Sequence, residues 1–61
     1  MTNTEHAYIK AGHRYETART PDAARLIAGK IRAMLEVETP DDRPHARQLV
    51  ETGRREARQG T

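Results

Sequence analysis

An all-α fold of three short helices is predicted by three features of the sequence. Apolar residues between Ala23 and Val37 recur at helical spacing. Prolines at 21, 40 and 44 divide the chain into three segments. The two outer segments carry thinner stripes of the same period.

The middle segment is the most regular. At about 100° per residue, Ala23, Ala24, Ile27, Ala28, Ile31, Met34 and Leu35 fall in an arc of roughly 140°. Leu26, Ala33 and Val37 lie outside it, on a neighbouring face interrupted by Lys30. A helix packing on one neighbour needs an apolar stripe of only about 100°. Helix 2 is therefore expected to be central, with two or more partners. Thr20 is placed as N-cap, Pro21 in the first turn and Asp22 against the positive helix end. Helix 2 is set at about 21–37.

Helix 1 is set at about 4–18, behind the caps offered by Thr2-Asn3-Thr4. Ala7, Tyr8, Ala11, Tyr15 and Ala18 share one face, which suits a groove beside helix 2 with the tyrosine hydroxyls reaching outward. Ile9 points the other way, exposed or in contact with another subunit. Gly12 either weakens the helix or lets a neighbour come close. Helix 3 is set at about 43–58, with Asp42 or Arg43 as its N-cap. Thr39-Pro40-Asp41 echoes Thr20-Pro21-Asp22, a repeat of capping chemistry and not of structure. The stripe Ala46, Leu49, Val50, Gly53 and Ala57 holds only two large side chains, so helix 3 is expected to dock weakly.

The 61 residues allow one small helical domain, 1–61, with fraying expected at 1–3 and 59–61. Below about 70 residues a single core rarely supplies more than ~3–5 kcal/mol. No cysteine is present to add disulfides or thiolate metal sites. Helix 2 also has more apolar surface than its neighbours can cover, so a helical-bundle homodimer through helix 2 is expected.

The charge balance is mildly basic, with net charge +2 and pI near 9.5, both signs being mixed along the chain. No apolar run approaches the roughly 18 residues of a membrane span, and no secretory leader is seen, which predicts a cytoplasmic protein. Serine and cysteine are missing and the four glycines are scattered, so neither a nucleophile with its base nor a phosphate loop is found. No enzyme, cofactor or small-molecule substrate is expected. His6 and His13 are about 10 Å apart along the helix, too far to share a metal. Glu36, Glu38, Asp41 and Asp42 lack the glycine and spacing of a calcium loop, and the aspartates suit the start of helix 3. His45 has no evident partner.

Two functions from different classes remain. One is a non-catalytic protein-interaction module, an adaptor or regulator that binds itself and another protein through Ile9, Leu26, Lys30, Ala33 and Val37. The alternative is a nucleic-acid-binding regulator whose phosphate contacts are Arg43, Arg47, Arg54, Arg55 and Arg58 on helix 3. Glu51 stands four residues from both Arg47 and Arg55, which favours ion pairs within the helix over a free cationic ridge. No helix-turn-helix spacing is present, because the link into helix 3 is long and holds two prolines.

Overall fold

A computed structural model describes residues 1–60. Among these it holds three α-helices and no strand: α1 (Glu5–Thr17), α2 (Pro21–Glu36) and α3 (Arg43–Gln59). The boundaries lie within one residue of those expected. Thr61, the last residue of the expected loose tail, lies outside the described residues.

The caps account for the boundaries. Thr4 Oγ1 accepts from Ala7 N at 3.1 Å and Thr20 Oγ1 accepts from Ala23 N at 3.1 Å, each meeting one backbone donor of a helix start. Asp42 occupies the cap position of α3 but makes no side-chain cap bond. Thr39 does that work one turn earlier, with Oγ1 accepting from Asp42 N at 3.3 Å. The Thr-Pro-Asp echo is thus the same local bond used twice.

The tightest packing joins α1 to α3, and this corrects two expectations. Helix 2 is not the buried centre: among its described residues none is fully buried. Helix 3 does not dock weakly, since Ala46, Val50, Gly53 and Ala57 are all buried. The two glycines explain the difference. A Cβ on Gly12 would collide with the carbonyl oxygen of Val50 and stand 2.9 Å from its carbon. A Cβ on Gly53 would collide with the carbonyl oxygen of Ile9 and stand 3.0 Å from His13 N. The two backbones meet directly, so small residues, not large ones, drive the contact.

Around it lie fully buried Tyr8 and Ala46, with Val50 beside them. Ile31, Met34 and Leu35 from α2 and Leu49 from α3 cover this cluster while remaining partly exposed. The seven α2 residues of the expected arc are the seven half-buried ones. Its internal face was therefore correctly placed, although its depth was not. The reason is size: the molecule spans 32 × 23 × 14 Å. The short dimension is little more than one helix diameter of about 10–12 Å, so few side chains can lie out of reach of water.

Gly53→Ala is expected to destabilise the fold by about 2 kcal/mol or more, in the range of core overpacking. Urea or thermal denaturation checks it, and an unchanged midpoint would contradict the backbone contact.

Candidate functional site

The exposed side of α2 is a narrow stripe. Leu26 is 72% exposed and Val37 58%, and Gly29, Lys30 and Ala33 between them are exposed as well. At 3.6 residues per turn, Leu26, Lys30, Ala33 and Val37 fall within about 60° of one another. The stripe is centred about 120° round the helix from the half-buried arc, and its Lys30 edge borders α1, lining a cleft with Ala7, Lys10, Ala11 and Arg14. Ile9 is not part of it. That residue is half-buried, its carbonyl against Gly53, in a shallow cleft with His6, Lys10, His13, Arg14 and Glu56.

With no fully buried side chain, α2 is fastened by its C-terminal end. The last carbonyls of a helix have no partner within it. Here each of four receives a donor from another element. Met34 O lies 2.8 Å from the Tyr8 hydroxyl and 3.3 Å from Asn3 Nδ2. Leu35 O and Glu36 O accept from the Arg43 guanidinium at 3.1 and 3.3 Å. Val37 O accepts from Thr2 Oγ1 at 3.3 Å.

Beneath this end sits Glu38, 3% exposed. Its carboxylate accepts from Thr2 N at 2.6 Å, from Asn3 N at 3.0 Å and from the Tyr8 hydroxyl at 2.5 Å. The Tyr8 hydroxyl has one proton and two acceptors within reach. The charged carboxylate takes it, since charge-assisted bonds are the stronger, and Asn3 Nδ2 then serves Met34 O. These donors, the Tyr8 hydroxyl first, hold the Glu38 carboxyl at about 2, against an ordinary 4.5. Burial and the bond to Glu38 in turn push the Tyr8 hydroxyl above its usual range. Tyr8 therefore points inward, not outward as expected. The first three residues, where fraying was expected, contribute Thr2 and Asn3 to this network, and the Met1 amino group lies 3.8 Å from Asp42.

The five arginines of the expected nucleic-acid contact fall in different surroundings. Arg43 closes the end of α2. Arg54 Nε donates to Glu16 at 3.0 Å and its Nη1 to Glu51 at 3.0 Å, while the guanidinium lies 5.0 Å from the centre of the Tyr15 ring. Arg58 reaches Glu16 at 3.4 Å. Hydrogen bonding from Arg54 is the main reason the Glu16 carboxyl titrates below its usual range. Glu51 thus pairs three residues on, not four. Arg47 and Arg55 are exposed, in a polar cleft with Gln48, Glu51 and Thr52. His45 Nε2 lies 2.8 Å from Glu5 Oε2, an exposed pair between α3 and α1 that the sequence could not reveal across forty residues.

Glu38 was missed as a functional anchor. It stands in a run of four carboxylates, and nothing in its spacing separates it from its neighbours. Among the described residues no group of three or more His, Asp or Glu side chains is placed to hold a metal ion. No described helix is long and apolar enough to cross a membrane. Compared with protein families, curated proteins and solved structures, the chain matches none.

A carboxyl titrating lower when folded stabilises the fold at pH values above the unfolded 4.5, and that contribution is lost as pH falls towards about 2. Urea midpoints are expected to fall across this window. Glu38→Gln is expected to start lower at neutral pH and fall less, with the remaining slope due to Glu16. A variant with the parent's midpoint and acid profile would remove Glu38 from this role.

Proposed function

We propose that this protein is a non-catalytic interaction module that pairs with a second copy of itself through the exposed stripe of α2. The observation that carries this is the exposure of Leu26 and Val37, at 72% and 58%, on a helix whose inner side already covers the core. A solvated surface helix is expected to be polar on its outer side. This one exposes Leu26, Ala33 and Val37 there among its charged residues, and burying that stripe in both copies removes four large side chains from water. The cleft holding Ile9, on the far side of α1, stays open in such a pair and is where an adaptor or regulator would meet a different protein.

Nucleic-acid binding is the weaker alternative. Arg43, Arg54 and Arg58 already serve carbonyls or carboxylates, and a phosphate would have to compete with those partners.

Sedimentation velocity or light scattering tests the pairing. Wild type is expected to dimerise with rising concentration. Leu26→Glu is expected to stay folded, because the residue is exposed, and to sediment as a monomer. A folded wild-type monomer throughout the micromolar range would refute the proposal. Salt-sensitive binding to random duplex, lost in Arg47→Ala with Arg55→Ala, would favour the alternative.

A further inference from the structure

We infer that the two copies cross with their α2 helices antiparallel, Gly29 lying at the point of closest approach. This rests on the self-association proposed above and assigns its geometry.

Gly29 is the first observation. A glycine inside a helix weakens it relative to alanine. Among the described residues, the other glycines within helices, Gly12 and Gly53, sit where a Cβ would collide with a neighbouring backbone. Gly29 has the same position inside a helix but no described atom within 4 Å of where its Cβ would stand. The smallness of this residue has no use within one chain. It borders the exposed stripe, about 60° round from Leu26, where another backbone could use it. Ala33, one turn along, is also small and exposed.

Charge complementarity supplies the second observation and sets the direction. Arg25 and Glu36 lie on one flank of the stripe, about 80° to 100° from Leu26. Both are exposed, and Arg25 reaches Asp22 within the chain at a loose 3.9 Å. Two-fold symmetry makes the same patch meet itself. In an antiparallel pair, like flanks lie together. Placing Gly29 opposite the Ala33 of the second copy then sets Leu26 within one residue of Val37, and Arg25 within one turn of Glu36. Each contact occurs twice, and both charge pairs are of opposite sign. Arg32 lies further round the helix and points away from the contact. A parallel pair instead sets Leu26 against Leu26 and brings opposite flanks together, so Arg25 and Glu36 no longer meet.

The chain contains no cysteine, so introduced thiols report the direction. In the antiparallel pair the two Leu26 positions are about 16 Å apart along the axis, beyond the reach of a disulfide. Under mild oxidation a mixture of Leu26→Cys and Val37→Cys proteins is expected to give a mixed disulfide, and neither protein alone a self-disulfide. Self-disulfides forming as readily as the mixed one would overturn the antiparallel geometry. Gly29→Ala is expected to raise the dimer Kd about tenfold or more, as overpacking of a close crossing does. Unchanged association with a more stable helix would overturn the role of Gly29. A wild type that never dimerises in sedimentation fails the proposed function itself, whereas a dimer with the wrong cross-links fails only this inference.

Discussion

The direct contact between the backbones of α1 and α3 is the constraint on which the rest depends. Gly12 and Gly53 remove the side chains that would hold the two helices apart. With the spacing closed, Tyr8, Ala46 and Val50 form a buried cluster in a molecule about 14 Å thick. Dispersion contacts fall off steeply with distance, so a gap of even one methyl group would forfeit much of their energy. The glycines cost helix propensity locally and return it through close packing.

The second layer of organisation is polar. Besides the packing of Ile31, Met34 and Leu35, α2 joins the pair through its C-terminal carbonyls, which accept from Thr2, Asn3 and Arg43. Glu38 gathers the chain before α1 and the Tyr8 hydroxyl onto one carboxylate. Buried charge is costly unless its bonds are met, and here three donors meet it.

Much of this was legible in the sequence and some was not. The helices and their ends could be read because periodicity and Thr-Pro capping act within a few residues. The half-buried arc of α2 could be read for the same reason. Depth of burial could not, since the length of the apolar list made α2 look central while two glycines decided the packing. Gly12 carried both meanings, and its partner Gly53 lies forty-one residues away in the chain. Glu38, His45 and the pairing of Arg54 with Glu16 were hidden because their partners are remote. The exposed stripe at Leu26, Ala33 and Val37 was visible as a surplus, apolar surface with no local neighbour to cover it.

No described side chain of α2 is fully buried, and this has an evolutionary consequence. Substitutions in a close-packed interior are constrained by their neighbours, whereas exposed positions usually shift stability by less than about 0.5 kcal/mol. The outer positions of α2 are therefore free to drift while α1, α3 and the carbonyl clasp maintain the architecture. A lineage carrying this fold can change the surface that α2 presents without first having to rebuild its core.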